Sequence, residues 1–289
     1  MKTKKWWMIF SLLVAIHFLG GSMQLGNITA QPSGKEAHTI TITILYDNYQ
    51  FDDRLKTDWG FSCLIEGLEK TILFDTGGNG AILMDNMNKL MVDPHEIDAV
   101  FLSHEHWDHT GGLQDFLKHN HKAVVYLLAS FPENIKSSIT RAGAKFVEIT
   151  SSTYIGERIA TTGELGANPK EQSLIIETSK GLVIITGCAH PGVVNIVEMA
   201  KNYLSSSLTG EAKGEGERDI YMVFGGFHLG GYSDSELMKM IQDFRKLGVV
   251  KVGPCHCSGD RCRVLFKEEY KDDFVEIGVG KTILINGDE

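Results

Sequence analysis

The chain has 289 residues, 43% of them hydrophobic and 22% charged, an ordinary globular composition with enough apolar material for a sizeable core. Its formal net charge of −9 leaves no basic footprint for non-specific nucleic-acid binding. Five cysteines at irregular spacing rule out a disulfide scaffold, and an odd count leaves at least one thiol free.

Lys2, Lys4 and Lys5 precede an apolar run from Trp6 to Leu19, followed by Gly20, Gly21 and small or polar residues. That order reads as a secretory signal peptide over residues 1–30, leaving 31–289 as a single domain. Ile28, at the −3 position of a cut after Ala30, is bulkier than the usual small residue. An uncleaved N-terminal membrane anchor is therefore the alternative, although the run is shorter than the ~20 residues that span a bilayer. Cleavage would remove three lysines and no acid, deepening the formal charge from −9 to −12. The expected location is exported, periplasmic or secreted, with no membrane contact in the mature form. Such a compartment permits one bridge among Cys255, Cys257 and Cys262.

Along the mature chain, residues 39–46 alternate Thr with Ile or Leu, the period of a half-buried strand. A polar, turn-rich stretch over 47–60 follows, then a hairpin (61–65 and 71–74) ending in Asp75-Thr76-Gly77-Gly78. A helical pattern covers 81–90, and Pro94 breaks it before an apolar strand at 99–103. Residues 104–109 read His-Glu-His-Trp-Asp-His, on a loop at the C-terminal end of that strand, before a turn at Thr110-Gly111-Gly112 and a helix over 113–118. Strands at 123–128 and 145–149 flank a helix at 133–141. A second hairpin (173–178 and 182–186) leads into Gly187-Cys188-Ala189-His190 and a helix over 193–204. Residues 205–218, rich in Ser, Gly and Glu, read as an exposed loop, either a lid or a solvated linker. A strand at 219–224 ends in Gly225-Gly226-Phe227-His228. An amphipathic helix follows over 235–247, then a strand at 249–252 ending in Pro254-Cys255-His256-Cys257, another helix, and strands near 274–277 and 282–285. Hairpins mixed with strand–helix alternation predict an α+β domain of two sheets between helices, with no linker.

The chemistry sits in a repeated grammar of strand, Gly- or Pro-marked turn, and histidine. It occurs at His104/His106/His109, His190, His228 and His256, six of the eleven histidines. Imidazoles with a carboxylate among them suit zinc, manganese or iron, and the chain supplies the six or seven ligands a two-metal centre requires. His17, His38, His95, His119 and His121 carry no functional reading. Trp107 and Phe227 are the aromatic candidates for a substrate wall. Cys188, Cys255 and Cys257 read as packing beside the ligands.

His-x-His-x-Asp-His at 104–109, the Phe74-Asp75-Thr76-Gly77 strand end and the later strand-end histidines resemble the metallo-β-lactamase-fold hydrolases. Leu102-Ser103 through Gly112-Leu113, Gly187-Cys188-Ala189-His190, Gly226-Phe227-His228-Leu229 and His256-Cys257-Ser258-Gly259 are similar to one branch, the proteins related to a dihydropterin-ribofuranosyl-aminobenzene-phosphate synthase. The resemblance implies a four-layer αβ/βα sandwich with the metals at one edge of the sheets. It implies His104, His106 and His190 on a first divalent metal and Asp108, His109 and His256 on a second, both expected to be zinc, with manganese or iron open. Asp75 would orient a histidine or its loop. The family's bridging carboxylate is missing at Gly225-Gly226-Phe227-His228, and His228 is the candidate to replace it. The implied activity is hydrolysis of an ester, lactone, phosphodiester or related bond of a small molecule by a metal-bridged hydroxide, with Asp108 assisting proton transfer. An iron-dependent oxidoreductase or dioxygenase on the same fold, and a non-catalytic metal-binding protein, remain the alternatives.

Overall fold

The computed structural model describes residues 39–207 and 219–286. The leader expected at 1–30 and residues 208–218 of the polar stretch lie outside the described residues. Two mixed sheets form the centre. The first contains β1 (Ile40–Tyr46), β2 (Ser62–Glu66), β3 (Ile72–Phe74), β4 (Ala99–Phe101), β5 (Val124–Leu128), β6 (Phe146–Ile149) and β13 (Thr282–Ile285), in the order β13-β1-β2-β3-β4-β5-β6. The second contains β7 (Ser151–Tyr154), β8 (Ile159–Gly163), β9 (Leu174–Thr178), β10 (Gly181–Thr186), β11 (Ile220–Gly226) and β12 (Val249–Cys255), in the order β12-β11-β10-β9-β8-β7.

Each sheet joins an antiparallel half to a parallel half. Pairing is parallel from β3 through β6 and from β10 through β12. Parallel neighbours bring their C-terminal ends to one edge, so the turns that follow β3, β4, β10, β11 and β12 become neighbours in space although they are far apart in sequence.

The central strands of the second sheet, β10 and β11, are buried on both faces and read as nearly unbroken apolar runs. In β10, Val183 and Ile185 face the core between the sheets, while Leu182 and Ile184 face an outer core. That outer core is covered by α5 (Val193–Ser207), α6 (Asp234–Lys246) and α7 (Asp260–Tyr270), through side chains such as Val197, Leu237 and Phe266. On the far side, α1 (Gly80–Lys89) and α3 (Leu113–His119) contribute Leu83, Met87 and Phe116 to the first sheet's covering, and α4 (Glu133–Arg141) adds Ile139. The layers are helix, sheet, sheet, helix, the expected four-layer sandwich. Among the described residues, no helix is long and apolar enough to cross a membrane.

Three readings change. β7 and β8 were not expected, because Ser151–Tyr154 is mostly exposed and polar and Ile159–Gly163 is short and rich in small residues. The strand expected near 274–277 reduces to a single bridge between Val252 and Phe274. Residues 205–207 of the expected loop are the last turn of α5.

Ile185 is fully buried between the sheets. Ile185→Ala should lower the unfolding free energy by about 2–5 kcal/mol, read from urea denaturation of the metal-free protein.

Candidate metal centre

The six-residue His-rich stretch is not wholly loop. His104 follows β4, but His106 is the N-cap of a one-turn helix, α2 (Trp107–Thr110), which carries Asp108 and His109. Thr76 clamps this turn, both its N–H (2.8 Å) and its Oγ1 (2.9 Å) donating to His109 O. Left-handed backbone recurs at non-glycine residues in the neighbouring turns: Asp75 (φ 51°), Ala189 (φ 58°), His228 (φ 51°) and His256 (φ 46°). Such conformations are costly and concentrate where the surrounding structure forces a functional geometry.

Asp75 is fully buried and organises the ligands. Its Oδ1 accepts from Ser103 N (2.7 Å), and its Oδ2 accepts from Ser103 Oγ (2.7 Å) and faces His109 Nδ1 at 2.7 Å. A carboxylate oxygen can only accept, so His109 carries a proton on Nδ1 and turns Nε2 toward the other candidate ligands. Ser103 has spent its one hydroxyl proton on Asp75, so its oxygen accepts from His104 Nδ1, 2.9 Å away. One carboxylate therefore fixes the tautomer of two histidines. Asn48 does the same for His256: its Oδ1 lies 3.0 Å from His256 Nδ1 while its Nδ2 donates to His256 O.

The inward nitrogens converge. His104, His106 and His190 form one group whose ligand atoms lie within 4.8 Å of one another; Asp108, His109, Cys188 and His256 form a second. His104 Nε2 and His190 Nε2 are buried without any hydrogen-bond partner, and His256 Nε2 faces the Asp108 carboxylate, 3.2 Å from Oδ2. Unpartnered buried nitrogens of this kind are expensive, and a divalent ion held by imidazole and carboxylate would satisfy them. The donor set fits such ions. Burial among other imidazoles holds His104 well below the ordinary histidine range, and burial beside His228 and His106 takes His190 down to about 4, so both are neutral, ligand-ready bases at neutral pH. Burial would lower His109 too, but Asp75 outweighs it and raises the group to about 8. Asp108 is lifted by burial and pulled down further by His256 and His109, leaving its carboxyl well below the carboxylate range.

Among the residues expected from sequence, His104, His106, Asp108, His109, His190 and His256 are thus brought together, in the expected two sets. His228 is not part of either set. It is exposed, its ring 4.5 Å from that of His190, and it groups instead with Cys188 and Cys257. Phe227 is no substrate wall: it is buried and packs against Phe244 and Phe266. Trp107 is 62% exposed, and a second aromatic, Trp59, is 46% exposed with its ring 4.9 Å from His256. All five cysteines are free. Cys255 lies in the core between the sheets and Cys262 in the outer core, on opposite faces of the second sheet, so the two do not meet.

Glu171 was invisible in the sequence. Fully buried, it accepts the backbone N–H groups of Gly187 (3.1 Å), Cys188 (2.9 Å) and Ala189 (2.8 Å) on Oε1 and of His190 (2.8 Å) on Oε2, and so shapes the whole turn that presents His190. Burial pushes its carboxyl up to about 7 against those donors. Its partners are main-chain groups, which leave no side-chain pattern to read. Gly187 shows how tightly the two sheets meet here, because an added Cβ would overlap Ser103 Oγ.

A family model described as the metallo-beta-lactamase superfamily matches residues 60–202. The 7,8-dihydropterin-6-methyl-4-(beta-D-ribofuranosyl)-aminobenzene-5'-phosphate synthase of Methanocaldococcus jannaschii is 29% identical over 298 residues, covering 86% of this chain and 98% of that protein. An uncharacterized protein of the same organism is 30% identical over 278 residues, covering 84% and 99%. The crystal structure of Tm1679, a metal-dependent hydrolase of the β-lactamase superfamily, superposes with a TM-score of 0.68 at 29% identity, covering 86% of this chain and 99% of that one. A diphosphatase of the PhnP family shares the fold at a TM-score of 0.56 and 12% identity, covering 86% and 98%. The chain belongs to the metallo-β-lactamase superfamily, in the branch that is similar to the dihydropterin-ribofuranosyl-aminobenzene-phosphate synthase. Its fold is that of an enzyme family whose members bind divalent metals, and its clustered side chains are candidate ligands for such an ion.

Asp75→Asn should weaken divalent-metal binding by about 10–100-fold, the usual effect of losing a ligand's outer hydrogen-bond partner. Metal titration with a competing chelator reads the affinity.

Proposed function

We propose that this protein is a metal-dependent hydrolase of a small molecule, working with two divalent ions, zinc as the first expectation. The observation that carries the reading is the convergence of the buried, unpartnered His104 and His190 nitrogens with His256 and the Asp108 carboxylate at the joint edge of two sheets. Bound metal would supply an activated water at neutral pH and polarise the oxygen of the bond to be cleaved.

The protein's own groups then divide the work. His104, anchored through Ser103, and His190, anchored through the Glu171 turn, hold their positions without rearrangement. Asp108, ionised at any ordinary pH, would orient the attacking water by accepting a hydrogen bond from it. His106 and His190 are half-buried whereas the Asp108 group is buried, so the substrate approaches from the side of the first set. His228, exposed beside His190, is placed to hydrogen-bond a substrate oxygen. Trp59 and Trp107 offer flat apolar faces at the rim for the substrate's non-reacting part. We further propose that the protein is exported through residues 1–30 and meets its substrate there without nucleic acid or membrane.

A second reading, a synthase activity like that of the curated relative, is favoured by its nearly full-length match. A panel of phosphodiester, lactone and thioester substrates, assayed with the metal-loaded protein, separates the two. Hydrolysis is expected on at least one, with His104→Ala losing more than about 100-fold in kcat/KM, beyond the loss of an outer partner alone. Turnover of none, or full activity in His104→Ala, contradicts the hydrolase reading.

A further inference from the structure

The second ligand group contains a sulfur atom that, on sequence grounds, reads as packing. Of the buried cysteines, Cys63 and Cys255 lie in the core between the sheets and Cys262 in the outer core, but Cys188, only 3% exposed, belongs to neither hydrophobic cluster. Its Sγ instead faces polar groups. It lies 3.2 Å from His109 Nε2, which is 3.7 Å from Asp108 Oδ2, which is 3.2 Å from His256 Nε2. Four ligands at bonds of about 2.0–2.3 Å around a tetrahedral ion stand roughly 3.3–3.7 Å apart. The three measured separations are close to the edges of such a tetrahedron, and all four atoms fall within 4.8 Å of one another.

We propose that Cys188 Sγ is the fourth protein ligand of the second ion, closing an Asp108–His109–Cys188–His256 set. The inference rests on the two-ion reading of the site, not on the hydrolytic reaction. The thiol gives its proton to solvent as the sulfur–metal bond forms. Cys188 would add a donor to the second set from the turn after β10, whereas the turn after β11, where the family's carboxylate is absent, carries His228. Its backbone is fixed on both sides of the Cα. Glu171 takes its N–H, and the next residue, Ala189, adopts the left-handed conformation that turns the chain away. Cys257 Sγ donates to the main-chain Cys188 O at 3.7 Å and groups with Cys188 and His228, not with His109 or Asp108, so it is no member of the second set. The outcome is an asymmetric centre. The first group would offer three histidines and the second four buried donors, so an open position for water and substrate would fall to the first.

Cobalt(II) is the probe, because a thiolate ligand gives it an intense near-ultraviolet sulfur-to-metal absorption that oxygen and nitrogen ligands do not. The full chain saturated with cobalt should show this band. Cys188→Ser should lose it and bind the second cobalt at least about tenfold more weakly, while Cys257→Ser should keep it. A saturated wild-type protein without the band overturns the assignment, and that result does not depend on any variant folding. So does a band that survives in Cys188→Ser or vanishes in Cys257→Ser. A protein that shows the band yet hydrolyses nothing keeps the ligand assignment and loses the hydrolase reading; an active protein without the band does the reverse.

Discussion

The buried carboxylate of Asp75 is the interaction on which the rest of this site depends. It sits at the end of β3 in a left-handed turn, with no solvent contact, and spends its acceptors on Ser103 N, Ser103 Oγ and His109 Nδ1. Hydrogen bonds to a charged group contribute about 1.5–3 kcal/mol each, and removing the acceptor would leave buried donors unmade. The consequence reaches further than stability. Through Ser103 it fixes His104 of the first ligand group, and directly it fixes His109 of the second, so one side chain couples both halves of the centre. That coupling requires β3 and β4 to run parallel with Asp75 and Ser103 at adjacent strand ends, which is what the Phe74–Phe101 register provides.

The second sheet answers with its own buried carboxylate. Glu171 gathers four consecutive N–H groups and shapes the turn that carries Cys188 and His190, each of which faces a different ligand group. The two sheets thus solve the same problem by different chemistry. The first positions imidazole rings through their Nδ1 atoms, and the second positions main chain. Both solutions place charge where water is excluded, and there a few fixed dipoles and carboxylates act more strongly than they would at the surface.

Much of this was legible in the sequence. The density of ligands in His104–His109 and the repeated strand–turn–histidine grammar identified six converging residues and the two-sheet architecture, because parallel strand ends are where such turns collect. What stayed hidden depended on partners that leave no local pattern. Glu171 binds backbone, Asn48 reaches His256 across more than two hundred residues, and Cys188 looks like any small buried thiol until its neighbours are known. Phe227 misled because proximity in sequence to His228 says nothing about direction: its side chain points into the outer core while His228 points to solvent. The short strands β7 and β8 lack the apolar alternation that made the others readable.

The central claim is that two separate groups of side chains at one edge of the sandwich each hold a divalent ion. Native mass spectrometry of the zinc-saturated full chain tests it most directly. The account predicts two zinc ions per wild-type chain, and one in His190→Ala and in His256→Ala alike, since each variant damages a different group. A wild-type chain that takes up a single ion, or variants that both retain two, would contradict it.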